Sequence, residues 1–214
     1  MDPRFDLPIF TRAETATHLG LASSTLAYWL RTGALQASEA HTPGEASITF
    51  ASVVETHMLR QLRIAGLSLR AIREAAIKLR NDAGRPHPLA WRRLAHDGRD
   101  LLVEITAEGR DPSWERIRDS QGGLAGVVEL GLEPIGWAPD DYANRLRLVT
   151  YQGADVIVDP RFSFGQPILE RAGVRVEDVV DLARAGESYQ LIADEFGIET
   201  TEVEALVRPH IRAA

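Results

Sequence analysis

The chain has 214 residues, is 44% hydrophobic, carries a formal net charge of −7 and has no cysteine. That length and apolar share suit one sizeable domain or two small ones and exclude wholesale disorder. The lack of cysteine excludes disulfides and thiolate metal sites. With no run near the roughly 18 apolar residues of a membrane span and no signal pattern in MDPRFDLPIF, the expectation is a cytoplasmic protein without membrane contact.

In chain order, Thr11 and Glu14 have capping-box spacing and open a short helix with Ala13, Ala16 and Leu19 on one stripe. Gly20 ends it, and Ser23 or Ser24 caps a second helix on which Leu26, Trp29 and Leu30 share a face. Two short helices across a glycine turn are the helix-turn-helix pattern. Residues 41–50 suit a loop or small β-wing. A second box, Ser52 with Glu55, opens a helix bearing Val54, Met58 and Leu62, and Ser68 caps another bearing Leu69, Ile72, Ala76 and Leu79. Gly84, Pro86 and Pro88 mark a boundary.

Beyond it, Asp97–Gly98 predicts a two-residue hairpin, followed by the alternating Leu101, Val103 and Ile105 of a half-buried strand. Residues 127–132, 146–151 and 155–158 read as further strands. Turns at Asp159–Pro160 and at residues 164–167 lead into three helices. Val176, Val179, Val180 and Ala183 mark the first. Leu191, Ile192 and Phe196 mark the second. The third is capped by Thr201 with Glu204 and buries Val203, Leu206, Val207 and Ile211. The expected fold is mainly α, of α+β class, in three parts. Residues 1–82 form a winged helix-turn-helix, 83–150 a small β-rich connector, and 151–214 a three-helix homeodomain-like domain. Charge follows this division. Residues 1–100 hold 13 basic and 10 acidic side chains, residues 101–214 hold 11 and 21. A mildly basic front and an acidic back imply different partners. Of the basic residues only Lys78 is lysine.

Two stretches resemble known families. IFTRAETATHLGLASSTLAYWLRTGAL followed by ITFASVVETHMLRQLRIAGLSLRAIREA resembles the MerR-type winged helix-turn-helix over residues 9–81. DVIVDPRFSFGQPILERAGVRV followed by GESYQLIADEFGIETTEVEALV resembles the domain-of-unknown-function 433 family over residues 155–212. The second resemblance implies a VapB-like antitoxin, paired with a PIN-like ribonuclease toxin. The first implies operator DNA as a partner, with the second helix in the major groove. By position, Ser23, Ser24, Thr25 and Tyr28 face DNA, Arg31 reaches a phosphate, and Arg12 is a further phosphate candidate. Helix capping is the other reading of the serines and threonine, and partial burial that of Tyr28. The sequence departs from the family at Ala27, where a basic residue is usual, and in the wing HTPGEASIT, which has no arginine and includes Glu45. Arg60 and Arg63 are possible replacements. The resemblance also implies a segment that enters the toxin's acidic site, for which Arg208 and Arg212 are candidates; a frayed helix end is the alternative.

Nothing favours catalysis. The six histidines have no metal-ligand spacing, and Gly122, Gly123 and Gly126 lack the lysine of a phosphate loop. No cofactor and no metal are expected. The leading expectation is a homodimeric antitoxin that represses its own operon. A stand-alone MerR-like regulator with a ligand-sensing C-terminal region is the alternative, and a protein-interaction adaptor the third class.

Overall fold

The computed structural model describes residues 1–38, 44–97, 99–105, 113–120, 128–129 and 133–211. A one-turn helix α1 (Pro3–Asp6) and strand β1 (Pro8–Phe10) precede α2 (Arg12–Leu19). Thr11 Oγ1 accepts the Glu14 amide at 3.1 Å and Glu14 Oε2 accepts the Thr11 amide at 2.7 Å, so the first capping box forms. Gly20 ends α2 at φ +61 and backs onto Thr150, whose Oγ1 would lie 3.3 Å from any Cβ there. Helix α3 (Ser23–Arg31) starts differently from expectation. Leu21 donates to Ala16 O at 2.8 Å and closes the turn early, so Ala22 is the N-cap and no side chain caps the helix. Ser23 and Ser24 are left exposed.

Strand β2 (Ile48–Thr49) pairs antiparallel with β1 and leads into α4 (Phe50–Ile64). The cap is Thr49, whose Oγ1 accepts the Ser52 amide at 3.3 Å, and the second expected capping box does not form. Burying Phe50 and Ala51 draws the helix start back, which leaves Glu55 inside the second turn and 1% exposed. Its carboxylate accepts the Leu89 amide at 3.2 Å and stands 3.0 Å from His87 Nδ1. Helix α5 (Leu69–Ala83) starts where expected, with Ser68 Oγ accepting the Ala71 amide, and buries Ile72, Ala76 and Leu79.

The middle of the chain builds two antiparallel sheets. The first contains β3 (Leu94–His96), β4 (Leu101–Ile105), β5 (Ser113–Arg116) and β6 (Val128–Glu129) in the order β5-β4-β3-β6. The β3–β4 connection spans residues 97–100 rather than two, with Asp97 Oδ1 accepting the Arg99 and Asp100 amides; Gly98 lies outside the described residues. Of the expected strand at 127–132, residues 128 and 129 are described. The second sheet contains β7 (Ile135–Trp137), β8 (Ala143–Arg147), β9 (Val156–Val158), β10 (Ile168–Leu169) and β11 (Val174–Arg175) in a simple meander, β11-β10-β9-β8-β7. The strand expected at 146–151 sits earlier, at β8, because Tyr151 N donates to Leu148 O and turns the chain there. This sheet runs across residue 150, joining connector strands to those of the C-terminal segment.

Helices α6 (Val176–Arg184), α7 (Tyr189–Phe196) and α8 (Thr200–Ile211) follow. The cap of α8 is not the pair Thr201 and Glu204: Glu202 accepts the Glu199 amide at 2.7 Å instead, and Glu204 pairs with Arg208. Leu191 and Ile211, expected on buried faces, are 51% and 65% exposed. The class is α+β, and one hydrophobic core runs from Ile9 to Val207. Among the described residues no helix is long and apolar enough to cross a membrane.

Two core histidines predict acid sensitivity. Burial holds His18 down to about 3, helped by the charge of His210, and holds His57 down to about 4, helped by Arg60. The unfolded chain takes up protons on these rings near pH 6.5, whereas the folded chain does not. Stability is therefore complete above pH 6.5 and falls as pH drops from 6.5 toward 4, by about 1.4 kcal/mol per pH unit for each ring. Thermal melts at pH 9, 8 and 5 should show a midpoint that is level between the first two and lower at the third. A level midpoint throughout contradicts this.

Candidate nucleic-acid interface

Helix α3 is two-faced. Leu26 and Trp29 are 1% and 6% exposed and hold the helix on the core. The i, i+4 stripe opposite them, Ser23, Ser24, Ala27, Tyr28 and Arg31, is exposed, while Thr25 is half-buried at its edge. Tyr28 is thus a surface residue, 47% exposed, with the Arg31 guanidinium 5.4 Å above its ring. The small first-turn side chains allow close approach to base edges or phosphates, and the positive end of the helix dipole points the same way. Arg12 is exposed on the first turn of α2.

Arg60 and Arg63 have other partners. Arg60 Nη1 donates to Leu19 O at 2.6 Å, and Arg63 donates to Leu67 O. Each uses one nitrogen of its guanidinium on a backbone carbonyl and keeps its charge. The wing closes where Ser38 N donates to Ser47 O at 2.8 Å and Ser47 N to Phe10 O at 2.9 Å. Its tip, residues 39–43, lies outside the described residues.

The C-terminal segment packs beside the start of α3. A groove beside the start of α3 is walled by Thr17, Gly20, Ala22 and Ser23 on one side and by Thr150 and Arg208 on the other. Arg208 donates to Glu204 at 3.0 Å. It therefore lies near the expected DNA face as well as on the C-terminal helix. Arg212 lies outside the described residues. The hydroxyl of Tyr151 joins the modules, lying 2.6 Å from His18 Nδ1 and 3.0 Å from His210 Nε2. Burial holds His210 below the usual histidine range and pushes the Tyr151 phenol up.

Sequence reading missed two features. Ser163, Phe164 and Gly165 are consecutive left-handed residues, at φ +46, +55 and +78. They raise a knuckle on which Phe162 and Phe164 are 55% and 86% exposed. Holding two non-glycine residues there costs about 1–3 kcal/mol each. The loop is pinned by Gln166 Nε2, which donates to Ile9 O at 3.1 Å, and by Arg161, whose guanidinium forks onto the buried Asp159. The available signal was a pair of phenylalanines inside a turn, away from any alternating pattern. The Tyr151 cluster had no local signal, since its members are 133 and 59 residues apart. Among the described residues, no group of three His, Asp or Glu side chains could hold a metal ion.

Comparison with known proteins places both ends of the chain. Residues 10–77 match the family model "MerR HTH family regulatory protein", and residues 156–208 match "Protein of unknown function (DUF433)". A protein of Mycobacterium tuberculosis named "Putative antitoxin VapB45" is 31% identical over 220 residues, covering 92% of each chain. The crystal structure of RV2018 from the same organism superposes with a TM-score of 0.69 at 28% identity, covering 95% of this chain and 99% of that one.

Proposed function

Because this chain belongs to the VapB45 family, we propose that it is the antitoxin of a type II toxin–antitoxin pair, which neutralises a PIN-like ribonuclease and represses its own operon. The observation that carries the DNA-binding half is the exposed stripe on α3, backed by the MerR-type match. Ser23, Ser24, Thr25 and Tyr28 contact the base edges and nearby backbone, while Arg31 and Arg12 contact phosphates. The protein acts in the cytoplasm as a homodimer, whose twofold axis matches a palindromic operator. Residues 1–82 form the DNA-binding unit, 83–150 the connector and 151–214 the toxin-binding unit.

With an arginine-free wing and Ala27 in place of a basic residue, few phosphates are neutralised. A dimer using Arg12 and Arg31 from each protomer should show a slope of log affinity on log salt of roughly −3 to −4, at about −0.9 per phosphate. Fluorescence anisotropy with the protein's own promoter duplex, across a salt series and against an unrelated duplex, tests this. Equal affinity for both duplexes contradicts operator recognition.

Toxin binding is proposed for the C-terminal unit, through the Phe162–Phe164 knuckle and the end of α8 with Arg208 and Arg212. Two exposed aromatics presented by a pinned, left-handed turn have the character of an interface anchor, and anchors of this kind are worth about 2 kcal/mol or more. Phe162→Ser with Phe164→Ser should weaken toxin binding by at least about thirtyfold, that energy expressed as affinity, and leave promoter binding intact. Titration calorimetry with the product of the adjacent gene checks this; unchanged affinity removes the knuckle from the interface.

A further inference from the structure

Tyr151 is 2% exposed and lies where the helix-turn-helix meets the C-terminal helices. Its hydroxyl is within hydrogen-bonding distance of His18 on α2 and His210 on α8. The two imidazoles stand edge to face with centroids 5.6 Å apart, and the Phe10 ring covers His18 at 4.9 Å. A phenol has one proton to give. It donates to one imidazole nitrogen and accepts from the N–H of the other, so the two rings must carry complementary protons. Around them, Arg60 on α4 is held by Leu19 O, while Arg184 and Asp181 on α6 act on His210 with opposing signs.

We propose that Tyr151 is a coupling residue: the relay His18–Tyr151–His210 ties the helix-turn-helix to the last turn of α8, so that a protein partner gripping that turn alters the DNA affinity of α3. This rests on the antitoxin reading above. The mechanical reason is that α2 has only eight residues, and its end sets the start of α3 through Gly20. Gly20 backs onto Thr150, the residue beside Tyr151. Drawing His210 away strips one partner from a buried hydroxyl, and the relay is a unit whose parts depend on one another. From solvent the same turn presents Arg208, with 43% of its side chain exposed, and Ile211, so a partner can hold it from outside while His210 faces in.

The test uses the full chain with His210→Ala, Tyr151→Phe, both together, and His210→Gln, whose amide can replace the Nε2 contact. Thermal melts establish that each variant is folded. Hydrogen exchange should rise about fivefold or more at Leu19, Gly20 and Leu21 when His210, on a different module, becomes Ala, while the β3–β4 amides stay unchanged. Tyr151→Phe should do the same, the double variant should exceed neither single, and His210→Gln should restore much of the protection. Promoter affinity should fall about fivefold in His210→Ala, within the usual range of coupling between sites. Unchanged exchange on α2, strictly additive effects, or raised exchange with unmoved DNA affinity would each overturn the coupling. Wild-type protein that does not bind its promoter contradicts the autorepressor half of the proposed function instead, and exchange then decides the relay on its own.

Discussion

Ser24→Glu is expected to weaken promoter binding by at least tenfold while leaving thermal stability unchanged or slightly raised. The two effects have opposite signs because the substitution acts on one helix end in two ways. In the free protein, Ser24 is exposed in the first turn of α3, whose N-cap Ala22 offers no side-chain hydrogen bond. A carboxylate there meets the positive end of the helix dipole and contributes about 0.3–1 kcal/mol to folding. On DNA, the same carboxylate faces phosphates and removes a hydroxyl from a base edge, a loss of about 1–3 kcal/mol for a single base contact before repulsion is counted. A folding defect cannot mimic that result, since the variant is at least as stable as the parent. Arg31→Ala serves as the companion variant. It should lower affinity on all sequences alike and reduce the salt slope by about one per protomer. If Ser24→Glu binds as tightly as the parent, α3 does not enter the groove.

Glu55→Ala is expected to be the most damaging substitution for the fold. The carboxylate is buried on α4, and it holds the Leu89 amide and His87, which in turn stacks on Phe5 of α1 at 5.6 Å. Removing it leaves a buried amide and an imidazole without their acceptor and opens a cavity beside them. The cost is about 3 kcal/mol or more. For a chain of this size that lowers the unfolding midpoint by about 6–12 °C. Glu55→Gln keeps the shape and one acceptor, and should lose roughly half as much. A fall of less than about 2 °C in Glu55→Ala would show that the contact contributes little. Promoter binding by the surviving folded fraction should be unaffected, since Glu55 lies away from the exposed face of α3.

Helix starts were legible where a single capping candidate stood at the start. Thr11 with Glu14 and Ser68 formed the contacts their spacing implies. They were misread where several candidates lay within a turn of one another, at Ser23, at Ser52 and at Thr201, because burial of neighbouring side chains chose among them. Glu55 shows the cost of local reading most clearly. It has capping-box spacing, yet its partners lie more than 30 residues away. The buried face of α3 was legible from periodicity, since Leu26, Trp29 and Leu30 share it, whereas the outward Ser24 and Tyr28 followed from the MerR-type resemblance, which left partial burial of Tyr28 open. The middle strands were poorly legible because short antiparallel strands owe their register to partners along the sheet, as β8 owes its position to β7 and β9. The Tyr151 cluster and the Phe162–Phe164 knuckle had to await a three-dimensional fold. One is assembled from distant segments, and the other is a backbone conformation that composition does not announce.

The resemblance of both ends to MerR-type and DUF433 proteins orders these features into one design. In the proposed function the exposed helix is the part that would read DNA, the acidic C-terminal half the part that would meet a protein, and the buried hydroxyl of Tyr151 lies between them. The proposed role is tested most directly by co-expressing the full chain with the product of the adjacent gene and measuring ribonuclease activity in the purified material. An antitoxin predicts a stable complex without ribonuclease activity, and activity that appears when the toxin is separated from it. A neighbouring protein that remains an active ribonuclease in its presence, or that forms no complex with it, would contradict the antitoxin assignment.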